Sequence, residues 1–130
     1  MIIQSTTAKC LLLILVITFF VACQKNYQKG PAPCSIATVP ETLASDEAVY
    51  YATLDSGTVT VTSITYKDSL GADVKVSSPT LPFSVIVNAK QGTAVGIAIE
   101  ATTPPGTKIE AGYQYGPPNN RTTKIVVCSN

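Results

Sequence analysis

Apolar and polar residues alternate with a period of two along most of the chain after residue 47, which predicts strands rather than helices. The first run is 48–54, with Val49 and Tyr51 on one face and Tyr50 on the other. In 58–66, Val59 and Val61 point one way and Thr58, Thr60 and Thr62 the other. The phase then slips, because Ile64 and Tyr66 have the opposite parity. One extra residue in a strand produces such a slip, so a bulge is expected near Thr62 and Ser63. The segment 67–73 (KDSLGAD) is a turn, and Val74 and Val76 follow in a short strand folded back as a hairpin.

Pro79 and Pro82 bracket a corner. Phe83, Val85, Val87 and Ala89 then alternate with Ser84, Ile86 and Asn88. After the turn at Lys90, Gln91 and Gly92, one face carries Val95, Ile97, Ile99 and Ala101. The clearest two-faced strand is 108–115, with Ile109, Ala111, Tyr113 and Tyr115 opposite Lys108, Glu110, Gly112 and Gln114. A last strand spans 124–128. No stretch of helical length sustains a 3.6-residue period, and 41–47 offers at most one helical turn. The expectation is an all-β, antiparallel sandwich of about seven short strands punctuated by Gly and Pro.

Composition supports this. After residue 22 the chain has 32 Thr, Val and Ile against four Leu, and β-branched side chains suit pleated, half-buried surfaces. The formal net charge is +1 with 13% charged residues, so no basic block exists to steer a nucleic acid. His and Trp are absent. Histidine-dependent triads, Cys–His dyads and Cys/His zinc sites are thereby excluded. No metal and no cofactor is expected.

The chain starts with a short polar stretch ending at Lys9, followed by the apolar run 11–22 (LLLILVITFFVA). A spanning helix needs roughly 20 apolar residues, so this run reads as a secretory signal. Phe20-Val21-Ala22-Cys23 resembles the lipobox of bacterial lipoproteins, with Phe20 in place of the usual Leu, as in Bacteroidetes-type sequences. The resemblance implies cleavage before Cys23 and lipid attachment to its sulfur. The alternative is an ordinary signal peptide with an incidental Cys. The expected organisation is a signal peptide at 1–22, a lipidated Cys23 and polar tether over 23–34, and a sandwich domain over 35–130. Localisation would be the bacterial cell envelope, at the outer membrane.

With Cys10 in the signal and Cys23 acylated, Cys34 and Cys128 remain as a pair in an oxidising compartment. A disulfide between them would tie the last strand to the start of the domain. The alternative is two free thiols, but a nucleophilic one would lack a neighbouring His.

From about residue 49 to 128 the pattern resembles the MmpS-like proteins, small immunoglobulin-like sandwiches that are tethered to membranes and accompany exporters. The likeness rests on 59–66 and its hairpin, Leu81-Pro82-Phe83-Ser84 before a strand, Lys90-Gln91-Gly92-Thr93 before another, and Cys128 in the last strand. That family has a transmembrane anchor and a second Cys in the strand that here spans 108–115. This chain has a lipobox instead of that anchor and no Cys in 108–115, so a bridge to Cys128 would need Cys34. The resemblance implies a non-catalytic accessory of an envelope protein, such as an exporter. The alternative is a surface module binding glycan or a host ligand.

Other candidates are weaker. Asp68 and Asp73 are two carboxylates near a turn, too few for a Ca²⁺ site. Asp68-Ser69-Leu70 resembles an O-glycosylation tripeptide of Bacteroidetes, which would modify Ser69. Asn120-Arg121-Thr122 fits the eukaryotic N-glycosylation pattern, idle in a bacterium. Glu100 and Glu110, on strands taken as neighbours, would be a surface charge pair rather than a catalytic one. Among the tyrosines, Tyr113 and Tyr115 share the parity of Ile109 and are expected in the core or at its rim. Tyr50 is the surface candidate for ligand contact.

Overall fold

In the computed structural model, which describes residues 29–130, every regular element is a strand. The strands are β1 (Ala32–Ala37), β2 (Glu41–Thr42), β3 (Glu47–Ser56), β4 (Thr60–Lys67) and β5 (Asp73–Ser77). They continue with β6 (Phe83–Asn88), β7 (Ala94–Val95), β8 (Ile97–Thr103), β9 (Lys108–Tyr115) and β10 (Thr122–Ser129). One four-stranded sheet has the order β1-β8-β4-β5 and the other β10-β9-β3-β6, with β2 and β7 forming a small third ladder. All pairs are antiparallel. The chain is an all-β antiparallel sandwich, as its alternation predicts.

Three strands were not legible. β1 lies where Pro31 and Pro33 suggested a tether, so residues 32–34 belong to the sheet. Proline is tolerated there because β1 is an edge strand, whose outward side needs no N–H. β2 and β7 have two residues each and show no periodicity. The stretch 41–47 makes no helical turn: Leu43 is instead held by two backbone bonds, donating to the Thr93 carbonyl and accepting from Gly92 N–H (both 2.7 Å).

The connectivity also departs from the immunoglobulin order, in which the first strand pairs with the second. Here β1 pairs with β8 over Ala32–Thr103 to Ala37–Ala98. Thr38 fixes that choice: its N–H donates to the Ile97 carbonyl (2.9 Å), and its Oγ1 accepts the Ile97 N–H (3.0 Å).

The expected phase slip is present. Along β4 the register against β8 jumps between Val61 and Ser63, so Thr62 is the extra residue. Val61, Ser63 and Ile64 are all buried in consequence. The hairpin to β5 pairs Lys67 with Asp73 and Ser63 with Ser77.

Between the sheets lie Tyr50, Ile64, Val95, Ile99, Ile109 and Tyr113, all essentially sealed from solvent. Fully burying a large apolar side chain contributes about 1.5–3 kcal/mol. The Tyr50 ring is 5.3 Å from that of Tyr66 and 6.0 Å, edge-on, from that of Tyr113. Its neighbours on the inward face, Ala48 and Ala52, are small enough to leave room for it.

The two ends of the sandwich differ. At one end Gly30 and Asn130 meet: Asn130 Nδ2 donates to the carbonyls of Gly30 and Thr103, and Asn130 N–H donates to the Thr107 carbonyl (3.1 Å). At the other end lie the β1–β3 connection, the β4–β5 and β9–β10 turns and the loop after β6.

Candidate binding surface

The sequence-predicted pair Cys34 and Cys128 is joined. The two residues form a disulfide with Cα atoms 6.3 Å apart, linking β1 to β10. These are the edge strands of the two sheets on one side of the sandwich, so the bridge closes that side. Cys23 and the segment 1–22 expected to be a signal peptide lie outside the described residues.

Tyr50 is corrected by the structure. It is 0% exposed, so it contacts no ligand at the surface. Parity shows that Tyr50 and Tyr51 face opposite ways but not which way is inward, and the packing of Tyr66 and Tyr113 decides that. Burial pushes the Tyr50 phenol above its usual range. Tyr113 is shifted the same way, by burial first and then by Glu41.

Glu100 and Glu110 are also corrected. They lie on β8 and β9, which belong to different sheets, so they do not form a pair. Glu100 accepts from Ser63 Oγ at 2.9 Å and lies 3.7 Å from Lys75 Nζ. Sequence adjacency suggested a hairpin between their strands, whereas the 103–107 turn crosses from one sheet to the other.

Ser69 is exposed on the β4–β5 turn, beside the exposed Leu70. Asp68 builds that turn: its Oδ1 accepts the N–H groups of Leu70 (2.8 Å) and Ala72 (2.9 Å). Asp73 is paired with Lys67 at 2.9 Å. Asn120 sits in the β9–β10 turn, donating its N–H to the Pro117 carbonyl.

The surface the sequence did not single out is the outer face of the β10-β9-β3-β6 sheet. The registers set its side chains in rows. One row runs Thr123, Gln114, Val49, Ile86 and the next runs Ile125, Gly112, Tyr51, Ser84. Val127, Glu110 and Thr53 form a third. Ile125 and Val127, on β10, are 49% and 47% exposed, and Ile86, on the opposite edge strand β6, is 60% exposed. Tyr51 lies across Gly112 in the middle of this face, and its hydroxyl donates to Glu110 Oε1 (3.4 Å). Burial, then the Glu110 carboxylate, raise the Tyr51 phenol above its usual range. The signal for this face was the run Lys124-Ile125-Val126-Val127, where no polar residue separates Ile125 from Val127.

On the inner side of the β10 edge, where Lys124 is in register with Tyr113, Glu41 pairs with Lys124 (2.8 Å) and accepts from the Tyr113 hydroxyl (3.3 Å). The Lys124 hydrogen bond holds the Glu41 carboxyl below its usual range.

An open depression of about 580 Å³ lies at the turn-bearing end, lined by Asp46, Ser69, Leu70, Asn88, Ala89, Lys90 and Thr93. None of these is aromatic, so it offers no ring on which a sugar would stack. No group of three or more potential metal ligands occurs among the described residues. Comparison with known proteins adds no family: no protein-family description, no curated protein and no solved structure matches this chain.

Proposed function

We propose that this protein is an envelope-tethered lipoprotein, anchored through Cys23, whose non-catalytic sandwich binds another envelope protein as an accessory. The observation that carries the reading is the exposed aliphatic side chains on the outer face of the β10-β9-β3-β6 sheet, Ile125 and Val127 on β10 and Ile86 on the open edge of β6. Exposed apolar area next to an unpaired strand suits a protein partner better than a sugar or a small molecule. The resemblance to MmpS-like proteins makes an exporter one partner to look for.

The anchor reading fits the position of Gly30. Gly30 lies seven positions after Cys23, a reach of at most about 25 Å. A lipid on Cys23 would therefore hold the end that carries Gly30 and Asn130 near the bilayer. The sheet faces would stand beside the membrane, and the turns around Leu70 would point away.

The test is crosslinking of the lipidated protein in its native envelope, with identification of the adducts by mass spectrometry. Reproducible recovery of one envelope protein, lost when Ile125 and Val127 are both changed to Ser, supports the reading. Recovery that is indifferent to those changes refutes it. A glycan or host ligand, the alternative, would leave the adduct pattern empty while a glycan array bound the protein.

A further inference from the structure

The four sheet edges are not equally protected. Edge strands offer unpaired N–H and C=O groups and are normally guarded by proline, charge, brevity or cover. β1 carries Pro33, follows Pro31 and is stapled to β10. β10 carries Lys124, which is pinned by Glu41. β5 has only five residues and bears Asp73 and Lys75. β6, Phe83-Ser84-Val85-Ile86-Val87-Asn88, has neither charge nor proline within it, although Pro82 directly precedes it.

The inner side of this edge is incomplete as well. Phe83, Val85 and Val87 pair with Ala52, Tyr50 and Ala48 and so face the core, yet all three are only half-buried. On the opposite sheet, Val74 and Val76 of β5 pair with Tyr66 and Ile64, face inward, and are half-buried too. The disulfide closes the sandwich on the β1 and β10 side. On the β5 and β6 side, valines line an open flank.

Resting on the reading that this protein binds another protein, we infer that the β6 edge is a strand-addition site for an extended segment of that partner. The segment's alternate residues are apolar and uncharged. Its backbone completes the ladder on β6, and its inward side chains enter between Val85 and Val87 on one side and Val74 and Val76 on the other. The flank holds no charge on its inward positions, so an inward charge on the segment would be buried unpaired. A second copy of this chain fits less well. The β6 edge is about 20 Å long, and pairing two copies along it covers a few hundred Å², against the roughly 1,200–2,000 Å² of stable interfaces. It would also leave both valine flanks unfilled.

The probe is a fluorescent heptapeptide of alternating Thr and Val, titrated into the detergent-extracted lipidated protein. Saturable binding with slowed amide exchange across 83–88 is expected. The same peptide with Lys at the Val positions should not bind. Val87→Lys places a charge in the flank and should weaken binding at least tenfold. Ile86→Lys, on the outward side of the same edge, serves should Val87→Lys fail to fold, and Leu70→Lys, exposed on the β4–β5 turn, should bind normally. No saturable binding, protection of another strand, or normal binding by both β6 variants overturns the inference.

A photo-crosslinking residue at position 86 or 125, used in the native envelope, separates the two readings. Capture at 86 that the peptide competes away supports the edge site. Capture at 125 but not at 86 overturns the edge site and leaves the protein-binding reading standing. Capture at neither overturns both, and capture of this chain itself replaces the partner with a second copy.

Discussion

Removing the Cys34–Cys128 bridge should cost this domain a large share of its stability. The bridge joins residues 94 apart, nearly the whole described chain. In the chain-entropy view, a cross-link closing so long a loop removes about 4.7 kcal/mol of freedom from the unfolded chain. Small domains have about 5–15 kcal/mol in total, so this is a third or more of it. For about 100 residues each kcal/mol is worth at least 4 °C, which predicts a fall in Tm of roughly 20 °C. The structure adds a local expectation. β1 and β10 are the outer strands of separate sheets, each paired on one side only, so their amides should lose exchange protection first. The assay is thermal unfolding followed by circular dichroism, with and without reductant, beside the Cys34→Ala/Cys128→Ala double variant. Reduction and the double variant should agree. A fall in Tm below about 5 °C with the thiols shown to be free would refute the loop-closure argument.

Gly112→Ala should cost about 1–3 kcal/mol in urea denaturation, typical of overpacking. A Cβ there would overlap the Lys124 carbonyl and lie 2.9 Å from the Tyr51 hydroxyl, so Tyr51→Ala in addition should not restore stability. Tyr50→Ala should cost about 3–5 kcal/mol, the range for deleting a buried aromatic, whereas Tyr51→Ala should cost far less. Equal costs would contradict their opposite placement. Glu41 sits below its ordinary value of 4.5, so its contribution is present above that pH and lost as pH falls through the folded value. Acid unfolding of Glu41→Gln should therefore depend less steeply on pH than that of the parent. Cys23→Ser should abolish acylation, read by intact mass, and release the protein from membranes; retention of the variant would refute the anchor.

Much of this fold was legible because a half-buried strand writes its faces into the sequence two residues at a time. The runs that became β4, β6, β8 and β9 lie where alternation puts them, and the slip at Thr62 announced its bulge. The burial of Tyr113 followed from its parity with Ile109. The cysteine inventory narrowed the bridge to one pair, because Cys10 and Cys23 fall in the N-terminal segment. Alternation is relative, however. It told Tyr50 from Tyr51 without saying which faces the core, since that depends on Tyr66 and Tyr113 arriving from distant strands. It gave no warning that Pro33 sits in an edge strand, where a missing N–H costs nothing. Strand pairing was likewise beyond it: successive strands in the chain placed Glu100 beside Glu110, while the fold sends them to different sheets. The candidate surface shares that limit. Ile125, Val127 and Ile86 are scattered in sequence, and only the registers of β10, β9, β3 and β6 gather them on one face. What the sequence alone determined was local, because backbone geometry and side-chain parity act between near neighbours. The tertiary structure decided which faces meet and which edge stays open, because both depend on contacts between residues far apart in the chain.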